Sequence, residues 1–248
     1  MALLEEFEKQ GNWLFRWRSY LPFVVIPLVA YALTQSEVLE RIAGLQIQTA
    51  WEVFSILVSV SGLLIRFFTV GWSAKGTSGR NTHEQVAESL NTKGIYSIVR
   101  HPLYLGNFLL MLGFLLFTQV WWLVVISVLL FWLYYERIMF AEEGFLRKKF
   151  GGEFTEWSTK TPAFFPRFKN WKRPSQPFLF KKVLRREYSS VLGIISVFVV
   201  LKFMAELLGE NEIKVKPISF IFLGIGFAIY GTLRFLSKKT TLLNFEKN

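Results

Sequence analysis

Long apolar blocks alternate with short polar stretches along this chain. Six blocks read as membrane-crossing helices: Trp13 to Leu33, Trp51 to Val70, Pro102 to Phe117, Val120 to Tyr135, Ser189 to Leu208 and Ile218 to Leu236. A hydrocarbon layer of ~30 Å takes about 20 residues at ~1.5 Å each, more than the ~14 that a short core helix supplies. Pro22 and Pro27 interrupt the first block, so a kink or close packing against neighbours is expected there. Only Thr118 and Gln119 separate the third and fourth blocks, which dictates an antiparallel helical hairpin. Folding about that turn sets residue n opposite about 237 minus n, so Glu142 and Glu143 fall near Gly94 and Ile95, within two helical turns of His101.

Composition agrees with the pattern. Of 248 residues 52% are hydrophobic, with a mean hydropathy of +0.35. The expected class is an all-α, polytopic integral membrane protein of about six spans, with the tight hairpin at the functional site. Cysteine is absent, which removes disulfides, thiolate catalysis and zinc-thiolate sites, and two histidines cannot furnish a multi-histidine iron centre. No metal site is expected. Glu5, Glu6 and Glu8 stand where a secretory signal would be basic, so no cleaved leader is expected.

The net charge of +11 is distributed by side. With a cytoplasmic N-terminus, the segments before Tyr20, from Gly71 to Arg100, from Ile138 to Tyr188 and from Ser237 to Asn248 carry 3, 4, 12 and 3 Lys or Arg residues; the opposite side holds Arg41, Lys214 and Lys216. The positive-inside rule therefore places both termini in the cytoplasm, of a bacterial inner membrane or an endoplasmic reticulum. Charges that hug membrane boundaries point to anionic lipid, not to nucleic acid.

The stretch from Pro166 to Tyr188 alternates Pro166, Pro174 and Pro177 with aromatic and basic residues, the pattern of a segment lying among headgroups. It divides the chain into residues 1–50 (first span and outer loop), 51–168 (core) and 169–248 (basic linker and two-span extension).

Two constellations carry chemistry. At the mouth of the third span stands Arg100-His101-Pro102-Leu103-Tyr104-Leu105-Gly106, with Pro102 suited to a first helical turn. After the fourth span comes the acidic pair Glu142-Glu143 among basic residues, on course for the same region. Taken alone, Arg100 and Tyr104 could be interfacial anchors, and the two glutamates could pair with Arg137 or Arg147 along their own helix.

Gly94-x-Tyr96, Arg100-His101-Pro102-x-Tyr104-x-Gly106, Glu142-Glu143-x-x-Leu146-x-x-x-Phe150-Gly151, Pro162 and Pro166 together resemble the isoprenylcysteine carboxyl methyltransferase and phospholipid methyltransferase superfamily. The likeness covers Gly94 to Pro166. Phe154, Trp157 and Lys160 depart from the tyrosines and arginine usual there. The Arg-His-Pro triplet alone is shared with NADPH-dependent sterol reductases, which remain the alternative enzyme class; isoprenylcysteine carboxyl methylation is an alternative within the superfamily.

The resemblance implies S-adenosylmethionine as cofactor. Tyr96, His101, Tyr104, Leu105, Gly106, Glu142 and Glu143 form the implied cofactor set, with His101 and Arg100 as catalytic candidates. That molecule's ammonium and ribose suit carboxylates, its carboxylate suits Arg100, His101 or helix-start amides, and its sulfonium and adenine suit aromatic walls. The expected partners are the bilayer and a membrane lipid substrate. Lys181, Lys182, Arg185 and Arg186 are expected to present a cationic surface that favours an anionic lipid. Lys202 is expected to meet a headgroup or Glu206, Arg234 to snorkel, His83 to lie on the surface, and Arg80 and Asn81 to edge the pocket.

Overall fold

The computed structural model describes residues 2–35, 44–74, 85, 87–209, 217–240 and 242–243; His83, Arg80 and Asn81 lie outside them. Seven α-helices occur among the described residues: α1 (Leu3–Trp17), α2 (Ile26–Leu33), α3 (Leu45–Trp72), α4 (Pro102–Phe117), α5 (Trp121–Lys160), α6 (Phe180–Gly209) and α7 (Pro217–Lys239). No strand is present among those residues beyond an isolated antiparallel bridge between Gly94 and Lys172.

Four described helices are long and apolar enough to cross a membrane: Leu45–Trp72, Trp121–Lys160, Phe180–Leu208 and Ser219–Lys239. They mark an integral membrane protein. The two remaining expected spans are shorter. α4 has 16 residues, ~24 Å of helix. The first block is divided, since α1 stops at Trp17, a 3-10 turn runs Leu21–Val25 through Pro22, and α2 holds only eight residues. Proline lacks the amide that a continuous helix needs, and the chain breaks where the sequence placed its kink.

The chain forms two compact units, the first built from Met1–Val25, Phe68–Leu105 and Val128–Phe178. Within it, α1 is amphipathic, with Glu5 and Glu6 at its positive end and Arg16 at its negative end. A side chain at Gly11 would collide with the Arg137 carbonyl and Ala141. Phe7 meets Phe140 edge-on at 5.8 Å, the Arg137 guanidinium lies 3.5 Å over the Phe7 ring, and Lys148 pairs with Glu8 at 2.6 Å. α5 bends at Gly151 (φ 52°, ψ −117°), a conformation that only glycine adopts without strain. The bend turns the chain toward the segment 94–101, with Phe154 fully buried.

The second unit comprises Ile26–Phe67, Gly106–Ser127 and Leu179–Asn248. Here α3 and α4 approach closely because Gly62, Gly106 and Gly113 leave no side chain at the crossing. Ser59 Oγ donates to the Leu110 carbonyl at 3.0 Å. Ala32, Leu115, Val120 and Leu123 form one apolar cluster; Leu63, Ile194 and Phe198 form another.

Two ion pairs join α3 to α6. Glu52 meets Lys202 at 2.7 Å, and Arg66 meets Glu187 in a bidentate contact at 2.8 and 3.0 Å. Fourteen residues separate the partners on α3 and fifteen on α6, so the helices are antiparallel and in register over both pairs. The polarity is opposite at the two ends. Lys202 thus pairs with Glu52 across helices rather than with Glu206 on its own, and no described group hydrogen bonds Oε2 of Glu206. Arg66 also donates to Asn107 of α4. Arg234 lies over the ring of Tyr230 one turn away. Lys182 is only 1% exposed, so the expected four-cation surface is not displayed as a set.

Candidate active site

The site forms in the first unit where a turn, a helix start and a helix bend converge. Gly94 adopts φ 61°, opening a 3-10 turn, Ile95–Ser97, that leads to Pro102 at the first position of α4. The segment after the α5 bend holds this turn by its backbone. The Trp157 indole donates to the Tyr96 carbonyl at 3.0 Å, and the amides of Arg100, His101 and Arg167 donate to Pro162, Ala163 and Ile98 at 2.9, 3.1 and 2.9 Å. The amides of Tyr104 and Leu105 both bond the His101 carbonyl at 3.1 Å. The expectation that helix-start amides would meet an anion is therefore corrected at Arg100, His101, Tyr104 and Leu105, whose amides already have backbone acceptors.

Arg100 engages every guanidinium nitrogen. Nε and one terminal nitrogen donate to Glu143 at 2.8 and 3.3 Å; the other donates to the carbonyls of Ser158 and Thr161 at 2.7 and 2.6 Å. Such a planar fork fastens three chain segments at once.

His101 is 6% exposed and lies between both carboxylates, with Nε2 3.0 Å from Oε1 of Glu143 and Nδ1 3.5 Å from Oε2 of Glu142. Burial pushes its proton affinity down, but the hydrogen bonds and charges of Glu142 and Glu143 outweigh burial and hold the pKa above its ordinary value. Its ring stacks on Tyr104 at 5.6 Å, whose hydroxyl donates to Oε1 of Glu142 at 2.6 Å. Tyr135 packs against Tyr104 at 4.7 Å and against Phe131 at 4.1 Å. Burial, and secondarily the Glu142 charge, raises the pKa of the Tyr96 phenol, which stays neutral.

Arg100, His101, Tyr104, Glu142 and Glu143 are thus brought together, with Tyr96 beside Glu142. Leu105 follows in the same turn as a partly exposed side chain. Gly106 lies in the second unit, where a side chain would collide with the stem of Arg66 and the Gly62 carbonyl. The glutamates do not pair with Arg137 or Arg147: Arg137 meets Glu136 and Gln10, and Arg147 lies over the ring of Phe154.

The two carboxylates differ. Glu143 is held by Arg100 and His101. Glu142 is the more exposed side chain, at 25% against 21%, and among the described residues its Oε2 makes only the long approach to His101. A cationic or hydroxyl-bearing ligand would find an acceptor at Glu142, beside the rings of Tyr104 and Tyr96. Tyr135 escaped the sequence reading. Its signal is the seven-residue spacing to Glu142, two turns along one face of α5. Among the described residues no group of three or more His, Cys, Asp or Glu side chains is arranged to hold a metal.

Comparison with known proteins places the same segment. The chain is 36% identical over 125 residues to a nickel-cobalt-cadmium resistance protein of Alcaligenes xylosoxydans xylosoxydans and to a cobalt-zinc-cadmium resistance protein of Cupriavidus metallidurans. It is 33% identical over 104 residues to the protein-S-isoprenylcysteine O-methyltransferase of Schizosaccharomyces pombe. These stretches are 50%, 50% and 38% of this chain and 56%, 55% and 42% of the relatives, so the chain spans about half the length of the curated relatives it matches. No solved structure matches. Residues 51–153, which carry Arg100, His101, Tyr104 and both glutamates, match the phospholipid methyltransferase family.

Proposed function

We propose that this protein is a membrane methyltransferase that transfers the methyl group of S-adenosylmethionine to a lipid or lipid-linked acceptor. The observation that carries the reading is Glu142, a carboxylate oriented by Tyr104 at 2.6 Å whose Oε2 makes only a 3.5 Å approach to His101, inside a segment that matches the phospholipid methyltransferase family.

The donor set fits the cofactor. Glu142 accepts from its ammonium or ribose, and Tyr96, Tyr104 and Tyr135 supply aromatic walls for its sulfonium and adenine. Arg100 and Glu143 hold the floor of the site and set the ring of His101. S-Adenosylmethionine supplies a methyl carbon already activated by its sulfonium, so the chain has mainly to orient reactants and exclude water. The hydrogen bonds and charges of Glu142 and Glu143 hold the His101 pKa above its ordinary value, and both ring nitrogens already face carboxylates. An acceptor such as a carboxylate or phosphate oxygen needs no deprotonation, and we assign no catalytic base. The resistance-protein names describe phenotypes of those relatives and supply no acceptor for this chain.

The six-crossing topology with cytoplasmic termini belongs to this proposal. Leu14 and Gln35 both lie against α5, at Tyr134 and Trp122, which supports a crossing by the broken segment between them. α4 begins beside Glu142 and ends at the turn into Trp121, which supports a crossing beside α5.

Isothermal titration of the purified protein with S-adenosylmethionine, its demethylated product and NADPH tests the reading. Binding of the first two is expected. Binding of NADPH alone would replace it with a reductase.

A further inference from the structure

A cleft of about 410 Å³ opens at the end of α3 in the first unit, lined by Trp72, Arg173, Pro174, Ser175, Gln176 and Phe178. Its strap is pinned at both ends. At one end the Gly94 amide donates to the Lys172 carbonyl at 2.9 Å, the Lys172 amide donates to Ser97 Oγ at 2.9 Å, and Pro174 packs on Gly94. At the other end the Phe178 ring fills the space over Gly71, which has no side chain to obstruct it. Trp72 forms an aromatic floor, stacked on Phe68 at 5.2 Å and met edge-on by Phe178 at 5.6 Å and Trp171 at 6.3 Å.

The polar rim is cationic. Among the described residues the exposed Arg173 guanidinium makes no ion pair or hydrogen bond, and Ser175 and Gln176 add neutral donors; Lys172, next in the chain, stands outside the lining and within electrostatic reach of Glu156. Among the described residues no acidic side chain lines the cleft. The floor closes the last turn of an apolar helix long enough to cross a membrane, which puts the rim at headgroup level. An aromatic floor at that depth under an uncompensated guanidinium matches an amphiphile bearing a phosphate diester.

We propose that this cleft binds the headgroup of an anionic phosphate-bearing lipid. The same strap grips Gly94, six residues before Arg100, so an occupied cleft holds the turn that leads into the carboxylate cluster. That the bound lipid is the acceptor, or sits beside it, rests on the methyltransferase reading; the binding itself does not.

The test titrates dihexanoylphosphatidylglycerol, dihexanoylphosphatidylcholine and inorganic phosphate into the full-length protein in uncharged maltoside micelles, without cofactor. Saturable binding of the glycerol lipid is expected, with weaker binding of the choline lipid and no displacement by equimolar phosphate. Arg173→Gln removes one charge-assisted contact and should weaken the glycerol lipid by about tenfold or more. Trp72→Leu should also weaken it, while Lys238→Gln, in the last turn of α7 and outside the lining, should not. Parental affinity in R173Q, an equal loss in K238Q, or displacement by phosphate on equal terms would each overturn the site. S-Adenosylmethionine titrated in parallel separates the two proposals: the lipid bound with no cofactor bound supports the cleft and overturns the methyltransferase reading alone.

Discussion

Tyr104 and Glu142 meet at 2.6 Å although they lie 38 residues apart, one in the first turn of α4 and the other twenty-one residues into α5. Side chains on a helix lean toward its N-terminus, so on antiparallel neighbours they lean in opposite directions along the common axis. The phenol leans away from the hairpin turn and the carboxylate leans back toward it. They therefore converge although Glu142 stands seven residues beyond Tyr135, which packs on Tyr104 within two residues of the register that the turn sets.

Glu143 and Arg100 form the staple of the site, which predicts that their loss is felt in stability. Glu143→Gln leaves the guanidinium with a weaker acceptor in a part-buried setting, at a cost of about 1.5–3 kcal/mol. A thermal melt in detergent should show a lower midpoint. An unchanged midpoint would deny the staple.

Gly151 predicts a backbone effect. Alanine at φ 52° is strained by about 1–3 kcal/mol, and relief of that strain would withdraw the Ser158 and Thr161 carbonyls from Arg100. Gly151→Ala should lower the melting midpoint, whereas Gly152→Ala, one residue on and outside that conformation, should have little effect. Equal midpoints for the two variants would count against the bend.

The pH dependence follows from His101. Its folded pKa lies above the unfolded one, so the stability it contributes is fully present below about pH 6.5 and is lost as pH rises through the raised folded value. Melts of the parent protein should decline across that window more steeply than melts of His101→Gln. Parallel slopes would show that the ring does not carry the effect.

Much of this was legible in the sequence. Pro102, the two-residue turn and the acidic pair were enough to bring His101 and Glu142 together, because a hairpin leaves little freedom in register. What escaped depended on contacts distant in sequence or hidden by periodicity. The amphipathic α1 was masked by the apolar block beginning at Trp13. Lys202 was given a partner one turn away because its true partner, Glu52, is 150 residues distant. Gly106 was given to the cofactor set by resemblance, whereas its visible neighbours are Arg66 and Gly62.

The opposed ion pairs of α3 and α6 predict charge-swap rescue. Glu187→Arg sets two guanidiniums against each other in a poorly solvated place and should destabilise the protein strongly. Arg66→Glu combined with Glu187→Arg restores opposite charges. A cross-link between cysteines placed at Leu63 and Ile194, in a chain that has no cysteine of its own, reports the register. It should fall in the single reversal and recover in the double. Equal yields in both would show that the pair does not set the register.

The most direct measurement is the affinity of Glu142→Gln for S-adenosylmethionine, set beside that of the parent protein by isothermal titration. Removing the carboxylate should weaken binding by about 1.5–3 kcal/mol, roughly ten- to more than a hundredfold, with membrane insertion intact. Parental affinity in the variant would show that Glu142 does not hold the cofactor and would contradict the site described here.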